Sequence, residues 1–286
     1  MLLAYHYRGK TALITGASSG IGLAFAQALA ARGMQLILVA RSEERLRHLA
    51  SELRERHGIQ AEVIVSDLSR EGAATQLARA VRERGLNVDL LINNAGFGTY
   101  GPFAEQSAER EHEEIMLNVT ALVDLTHALL PAMLARGEGA VINLASLAAF
   151  LPIPHMAVYA ATKAFVLSFS QALWTEYRRQ GLRVLAVCPG PVATNFFAVI
   201  GTSQEDMPGG ILSPEQVVAA SLRALERGRS QVVPGLLNKL MAFSTHLVPR
   251  TLGARVAGSF LPRRTQPGRS AAGGRSLSST PEPQAH

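Results

Sequence analysis

The stretch TALITGASSGIGLAFAQALAARG, residues 11–33, decides the fold. Residues 12–15 form a short apolar run typical of a buried parallel strand, and a helical pattern follows the glycines. Glycines between a strand and a helix let the backbone approach a pyrophosphate closely, and the helix N-terminus offers free N–H groups and a partial positive charge. Gly16, Gly20 and Gly22 have the spacing G-x-x-x-G-x-G rather than G-x-G-x-x-G. The stretch predicts a dinucleotide-binding turn, with an ordinary glycine-rich turn as the alternative.

Strand-like and helix-like runs alternate along the chain. The later strand-like runs are 35–40, 61–65, 89–92, 140–145, 182–187 and 231–233. The helical stretches are 20–32, 42–57, 70–84, 104–135, 155–180 and 214–227. This alternation predicts an α/β fold, a doubly wound parallel sheet of the Rossmann type with helices on both faces, in a single domain over residues 1–234. The apolar content of 48% suits a sheet that is covered on both faces.

A tyrosine and a lysine stand four residues apart in the run YAATK. Tyr159 and Lys163 therefore share one helix face, where the ammonium group can lie close to the phenol. A nearby cation lowers the pKa of a phenol from its usual value of about 10. The pair is interpreted as a general acid/base, with Ser146 as the hydroxyl that orients a carbonyl oxygen. Such a pair alone is common on solvated helices, so the interpretation depends on the other motifs.

Taken together, the motifs resemble the short-chain dehydrogenase/reductase family. The resemblance rests on TGASSGIG, on NNAG at 93–96, on Ser146, on YAATK and on PGPVAT at 189–194, and it covers about residues 10–234. The glycine spacing is that of the compact single-domain members and not of the extended members. The resemblance implies an oxidoreductase that transfers hydride between a nicotinamide cofactor and a carbonyl or alcohol group.

The resemblance also implies a catalytic set of Asn118, Ser146, Tyr159 and Lys163. Ser146 and Tyr159 would bind the carbonyl oxygen, and Tyr159 would give its proton to the developing alkoxide. Lys163 would lower the pKa of the phenol and orient the nicotinamide ribose. Asn118, through a local helix irregularity and its main-chain carbonyl, would hold a water on the proton path to solvent. No metal is expected in this chemistry.

Cofactor contacts follow from the same resemblance. Asp67 matches the acid that accepts from the adenine amino group, with a helix N-cap as the alternative. Asn93 begins the run that holds the adenosine ribose and stabilises the sheet, while Val192 and Thr194 match residues that hold the carboxamide. Thr194 has a plain helix cap as its alternative. The cofactor-binding residues predicted are Gly16, Ser18, Ser19, Gly20, Ile21, Gly22, Arg41, Asp67, Asn93, Asn94, Ala95, Gly96, Tyr159, Lys163, Val192 and Thr194.

The choice of cofactor depends on the residue after the second strand. An acid there would accept hydrogen bonds from both ribose hydroxyls and favour NAD, but the sequence has Arg41 and Ser42. A guanidinium can bind the 2′-phosphate of NADP through paired, charge-assisted hydrogen bonds. We therefore predict NADP rather than NAD. The alternative is that Arg41 is a solvated residue at a helix start, followed by the first-turn acids Glu43 and Glu44.

The expected substrate pocket is mostly apolar or aromatic. Its predicted walls are 97–100, 147–154 and a lid at 191–211, and they hold no pair of arginines that could clamp a carboxylate or phosphate. An uncharged hydrophobic ketone, aldehyde or secondary alcohol is expected. NNAGFGTYGPF resembles a bacterial branch of the family close to steroid and long-chain 3-oxoacyl reductases. Two other functions remain open: a catalytically idle NADP-binding regulator on the same fold, and a scaffold at a membrane surface.

The chain continues beyond a minimal member of the family. Residues 235–262 carry apolar residues at helical spacing with basic residues between them, and Pro249 divides them into two short helices. This amphipathic extension is either a peripheral membrane contact, through 235–261, or a lid, packing extension or subunit contact. Residues 263–286, rich in Ser, Gly, Pro and Arg, are predicted to be a disordered basic tail.

Charge, cysteine content and hydropathy exclude several classes of protein. The net charge is +6, but the stretch from Arg250 onward carries six arginines and one acid, so we expect no basic patch for nucleic acid on the body. Cys188 is the only cysteine, so no intrachain disulfide forms, and a core position is expected. No secretory signal and no run of about 18 apolar residues is evident. We expect a cytoplasmic protein that assembles as a homo-oligomer through helices 104–135 and 155–180.

Overall fold

A computed structural model describes residues 5–196, 210–245 and 247–260. Its centre is one seven-stranded parallel sheet. The strands are β1 (Thr11–Thr15), β2 (Gln35–Ala40), β3 (Ala61–Val65), β4 (Leu90–Asn93), β5 (Gly139–Leu144), β6 (Leu182–Val187) and β7 (Gln231–Val232). Their order across the sheet is β3-β2-β1-β4-β5-β6-β7. The predicted doubly wound parallel sheet is thereby confirmed, and the order reverses between β1 and β4, where this class of fold binds its ligands.

Helices cover both faces of the sheet. They are α1 (Gly20–Ala30), α2 (Glu43–His57), α3 (Ala73–Glu83), α4 (Ala108–Ile115), α5 (Ala121–Ala135), α6 (Ala157–Tyr177), α7 (Pro214–Glu226), α8 (Leu236–Ser244) and α9 (Arg250–Phe260). Single 3₁₀ turns lie at Phe103–Glu105, Leu147–Phe150 and Arg178–Gln180. Alternate residues of β1 show why the strands are continuously apolar: Ala12 and Ile14 pack with α1, α2 and α7, whereas Leu13 packs with α3 and α5.

The helix predicted at 104–135 is divided in the structure. A 3₁₀ turn precedes α4, and a π-helical turn, Met116–Thr120, joins α4 to α5. By length and composition the described residues contain one helix that could cross a membrane, Ala108–Ala135, although the sequence analysis expected none. Leu125 and Met133 of this helix are buried in the core beside α3 and the sheet, so it is a packing helix of this domain.

The extension after β7 forms two helices on either side of Pro249, α8 and α9. Residues of both helices line the cleft at the carboxyl ends of the strands. Residues 263–286, the predicted tail, lie outside the described part of the chain, and the division of the chain at residue 234 stays a prediction.

Cys188 is fully buried at the end of β6, and burial raises the pKa of its thiol to about 12.

Candidate active site

A cleft of about 1190 Å³ opens at the carboxyl ends of the strands. It runs from the glycine turn after β1 to the start of α6 and the extension helices. The sequence-predicted residues that line it are Gly16, Ser18, Ser19, Gly20, Ile21, Arg41, Asp67, Asn94, Ala95, Gly96, Ser146, Tyr159, Lys163, Val192 and Thr194. Three predicted residues, Gly22, Asn93 and Asn118, lie behind this lining. The fold therefore brings most of the predicted set into one concave site.

The glycine turn needs glycine for reasons of space and backbone conformation. Gly16 has φ +67°, a left-handed value that glycine adopts without strain. A Cβ on Gly22 would lie 2.2 Å from the carbonyl oxygen of Gly16 and 2.5 Å from Nδ2 of Asn94. Asn94 in turn donates from Nδ2 to the carbonyl oxygen of Thr15 at 2.8 Å. The turn is thus packed directly on the loop after β4, and α1 presents its N-terminus to the cleft.

Ser146, Tyr159 and Lys163 meet at the floor of the cleft. Ser146 follows β5, and its Oγ accepts a hydrogen bond from the backbone N–H of Ala148 at 3.1 Å. Tyr159 and Lys163 lie one turn apart on α6, with Nζ of Lys163 5.6 Å from the centre of the tyrosine ring. The ammonium donates to the carbonyl oxygen of Leu144 at 2.9 Å, and Lys163 is buried. The predicted trio is therefore assembled by β5 and α6.

Burial dominates the acidity of these groups. Desolvation raises the pKa of Tyr159 to about 12, although hydrogen bonding with Ser146 opposes this and Glu114 adds to it. Desolvation lowers the pKa of Lys163 to about 8, and Glu114 works against that change. The expected lowering of the tyrosine pKa by Lys163 is not what the protein's own groups produce, because burial raises that pKa and the ammonium is directed at the carbonyl oxygen of Leu144.

Asn118 lies in the π turn, where its side chain ties three segments together. Its Oδ1 accepts from the N–H of Phe97 at 3.2 Å, and its Nδ2 donates to the carbonyl of Phe97 at 2.9 Å and to Oγ1 of Thr162 at 3.1 Å. A Cβ on Gly96 would lie 2.8 Å from Oδ1 of Asn118 and 3.4 Å from Nζ of Lys163. The helix irregularity that the resemblance implies is present, and it places Asn118 directly behind the lysine.

Glu114 is a buried acid that the sequence analysis missed. It lies on α4, fully buried, and its Oε2 accepts from the hydroxyl of Thr99 at 2.9 Å. Its Oε1 has no hydrogen-bond partner among the described residues. Desolvation raises its pKa to about 7, while the bond from Thr99 and the charge of Lys163 oppose the rise. The run EREHEEI is typical of an exposed helix, so no signal in the sequence indicates that this one acid points inward.

The adenosine end of the cleft carries two arginines and one acid. Arg41 follows β2, and Arg45, in the first turn of α2, also lines the cleft. Partial burial favours a higher pKa for Asp67, but hydrogen bonds from Ser69 and the charge of Arg41 outweigh it and lower the pKa. The N-cap alternative for Asp67 is wrong, because α3 begins at Ala73 and its N-cap is Gly72.

The side chain of Asn93 lies within the sheet rather than in the cleft. It is buried and donates to Oγ1 of Thr126 at 3.1 Å and to Oδ1 of Asn143 at 2.9 Å. These bonds join β4 to β5 and to α5, which is the kind of contact that stabilises the sheet. The ribose contact of Asn93 stays a prediction. Asn94, the next residue, faces the cleft instead.

Thr194 lies above the glycine turn. Its Cγ2 would be 3.0 Å from a Cβ on Gly20, and its Oγ1 accepts from the N–H of Phe196 at 3.3 Å. The second contact is of the capping type, as in the alternative interpretation of Thr194, and its contact with the carboxamide stays a prediction. Val192, two residues earlier, forms a β-bridge with Leu212.

The inner end of the cleft is apolar. Its lining there includes Phe97, Leu147, Ile153, Met156 and Phe196, with Met241, Val248 and Val256 from the extension helices and the turn between them. The rings of Tyr159 and Phe196 are 5.3 Å apart.

Arg110 adds a positive charge to the lining of the cleft. Its guanidinium lies 3.8 Å from the centre of the ring of Phe97 and pairs with Glu113 at 3.1 Å. Most of the predicted lid, residues 197–209, lies outside the described residues.

Three comparisons relate the chain to known proteins. A family model described as short chain dehydrogenase matches residues 10–205. The very-long-chain 3-oxoacyl-CoA reductase of Anas platyrhynchos is 35% identical over 218 residues, which are 75% of this chain and 68% of that protein. The short-chain dehydrogenase from Sphingobium yanoikuyae, solved in complex with NADPH, is 36% identical with a TM-score of 0.76, and the match covers 91% of this chain and 99% of that one. The bulky-bulky ketone specific alcohol dehydrogenase from Comamonas testosteroni is 35% identical with a TM-score of 0.71, over 83% and 93% of the two chains.

Proposed function

Because this chain belongs to the short-chain dehydrogenase/reductase family, we propose that it is an NADP(H)-dependent oxidoreductase that acts on a hydrophobic ketone, aldehyde or secondary alcohol. The observation that carries the proposal is the meeting of Ser146, Tyr159 and Lys163 at the floor of one cleft whose opposite end is the glycine turn. Bound NADP(H) supplies the hydride acceptor or donor, and the oxidised ring brings a positive charge to the site. The remaining chemistry belongs to side chains of this chain.

Tyr159 is the general acid in the reducing direction. Since burial raises the pKa of its phenol to about 12, the group carries its proton at neutral pH and is ready to donate it. Ser146 and Tyr159 together bind the carbonyl oxygen, which stabilises the negative charge that develops there. In the oxidising direction the same phenol must lose its proton, so a nearby cation is needed to lower its pKa.

Lys163 lies on the proton path that leads from Tyr159 towards solvent. Its pKa of about 8 lies close to working pH, where a group both gains and loses a proton readily. The ammonium is adjacent to Gly96 and Asn118, and the π turn leaves the helix backbone irregular at this point. We propose that the main-chain carbonyl of Asn118 holds the water that continues the path to solvent.

The preference for NADP rests on the arginines at the adenosine end. Arg41 lies between β2 and α2 and Arg45 in the first turn of α2, and both line the cleft, so two guanidinium groups are available to a 2′-phosphate. Asp67 is held by Ser69 with Oδ1 at 2.7 Å from the serine hydroxyl, in position to accept from the adenine amino group. NADPH-bound relatives with the same fold support this assignment.

The apolar inner wall supports an uncharged, hydrophobic substrate. Arg110 does not act as a carboxylate clamp, since its guanidinium already pairs with Glu113 and covers the ring of Phe97. The names of the relatives, a very-long-chain 3-oxoacyl-CoA reductase and a bulky ketone dehydrogenase, favour a bulky or long-chain carbonyl compound. The complete catalytic trio counts against an idle regulator.

A screen of NADPH consumption over aliphatic, aromatic and steroid carbonyl compounds tests the proposal. We expect turnover on hydrophobic carbonyls, and loss of turnover with retained NADPH binding in Tyr159→Phe. Tyr177→Phe, a matched change at the far end of α6, should keep turnover. Activity confined to small charged acids, or normal turnover in Tyr159→Phe, would contradict the proposal.

We also propose a homo-oligomer, formed through residues 104–135 and 155–180, which contain α4, α5 and α6. Ile115 and Phe165 are exposed on these helices, at 42% and 41%, and Phe165 stacks on Phe169 at 5.8 Å between ring centres. A subunit contact through these helices would bury both side chains. The cytoplasmic location stays a prediction from the sequence. Sedimentation of the full chain measures the assembly, and a monomer at all concentrations would contradict it.

A further inference from the structure

The outer side of α8 is unusually apolar. Of the thirteen large hydrophobic residues that are exposed in the described chain, eight lie between 236 and 256. On α8 itself Leu236, Leu237, Leu240 and Phe243 are 75%, 52%, 58% and 63% exposed. Isolated exposed apolar residues are ordinary on a protein surface, but a contiguous group of this size indicates a binding surface.

A cationic groove of about 470 Å³ lies beside this apolar side, between α7, β7 and α8. Arg223, Arg227, Arg229 and Lys239 line it, and its remaining lining contains no acid. Within the described residues these four cations form none of the ion pairs, all of which use other lysines and arginines. The groove is therefore a concentration of uncompensated positive charge.

α8 separates this groove from the substrate cleft. Met241 and Ser244 line the cleft, whereas Lys239 and Phe243 line the groove. The third side of the helix carries Leu240, lies between the side on the cleft and the side on the groove, and faces outward. One short helix thus contacts the cleft, the groove and the outside, and its outward side is the apolar one.

The charges decide which partner fits this surface. A second copy of the chain in a two-fold dimer would place the same patch on both sides, so cation would face cation. The sequence has no Asp or Glu from 227 to 260 that could relieve this, and the nearby Glu226 is held by Tyr7. A bilayer that contains anionic lipids fits both the apolar side of α8 and the cationic groove, since its acyl region accepts apolar side chains and its phosphates accept cations.

We infer that α8 and the cationic groove form a docking surface for an anionic lipid bilayer. Leu236, Leu240 and Phe243 enter the interface region, and Arg223, Arg227 and Arg229 meet the lipid phosphates. The docked cleft would then open next to the membrane, where a lipophilic substrate is concentrated. That last consequence rests on the proposed oxidoreductase function, whereas the docking itself does not.

Co-sedimentation of the full chain with vesicles tests the inference. The vesicles contain either phosphatidylcholine alone or phosphatidylcholine mixed with phosphatidylglycerol. The cation variant is Arg223→Gln/Arg227→Gln/Arg229→Gln, and the apolar variant is Leu240→Ser/Phe243→Ser. Matched controls are Arg47→Gln/Arg79→Gln/Arg82→Gln and Phe103→Ser, because Phe103 is exposed at 67%, close to the exposure of Phe243. NADPH turnover of a water-soluble ketone is measured for each variant and should remain that of the wild type.

We expect the wild type to bind the anionic vesicles more tightly than phosphatidylcholine alone. Each surface cation near an anionic membrane contributes about fivefold, so the cation variant should bind about a hundredfold more weakly, while its control stays near the wild type. The apolar variant should lose binding even at low salt. Equal binding by the cation variant and its control would overturn the inference. So would an absence of vesicle binding together with a dimer that Phe243→Ser disrupts, which would make the surface a subunit contact. Vesicle binding without any turnover would reject the proposed function and leave the docking surface standing.

Discussion

Replacement of Glu114 by glutamine isolates the energetic effect of the buried acid. Burial raises the pKa of Glu114 from its ordinary value of 4.5 to about 7, so the folded chain holds this proton where the unfolded chain has released it. Stability therefore falls as the pH rises from about 4.5 to about 7, because the folded state binds more protons in that window. The difference corresponds to about 3 kcal/mol, and the opposing attraction of Lys163 is already included in the pKa of about 7.

Glutamine keeps the shape and can still accept the hydrogen bond from Thr99, but it carries no charge at any pH. We expect Glu114→Gln to be close to the wild type in free energy of unfolding at pH 4.5. At pH 8 it should be more stable than the wild type, by up to about 3 kcal/mol. Urea denaturation at both pH values measures this, with Glu111→Gln on the same helix as the control. A difference between variant and wild type that is the same at both pH values would refute the reasoning.

Three further predictions follow from the site. Gly22→Ala should destabilise the fold by about 3 kcal/mol in urea denaturation, since its Cβ would lie 2.2 Å from a backbone oxygen that cannot move freely; a stability like that of the wild type would contradict this packing. Arg41→Asp should raise the Michaelis constant for NADPH far more than that for NADH, and an unchanged NADPH constant would contradict the assignment of the arginine. Oxidative turnover should rise with pH as Tyr159 loses its proton, and Glu114→Gln should shift this rise to lower pH, because removal of the carboxylate lowers the pKa of Tyr159. An unshifted pH profile would contradict the coupling.

The strands and the catalytic trio could be predicted because local sequence determines them. β2, β3 and β6 have the boundaries that their apolar runs predict, since each run pairs along its length with a neighbouring strand. β2 and β6 are largely buried, whereas the edge strand β3 leaves Val65 exposed. Tyr159 and Lys163 meet because a helix period places them together. Arg41 lines the cleft because the fold places the end of β2 there. Each of these inferences needs only a short segment and the topology.

Other features depend on contacts between distant segments. Glu114 turns inward because Thr99, in the loop after β4, offers it a hydroxyl, and no periodicity of α4 reveals this. Asn93 faces α5 because Thr126 and Asn143 receive its amide, and the motif alone does not show which of its two asparagines turns into the sheet. The lining from α8 and α9 follows from how an irregular extension folds back over the cleft. Packing of this kind cannot be read from one segment.

The π turn at Met116–Thr120 also affects how this helix tolerates changes in chain length. A π turn accommodates one residue more than an α-helix does over the same rise, so α4 and α5 keep their separate phases on either side of it. Loss of a single residue within the turn would convert it to regular α-helix and leave both flanks facing as they do. The same loss inside α5 would rotate everything upstream by about 100° and turn the buried side of α4 outward. A deletion is thus more easily accommodated at the position of Asn118 than a few residues away. A homologue without this extra residue would keep the helices packed on the sheet but lose the position of the asparagine behind the lysine.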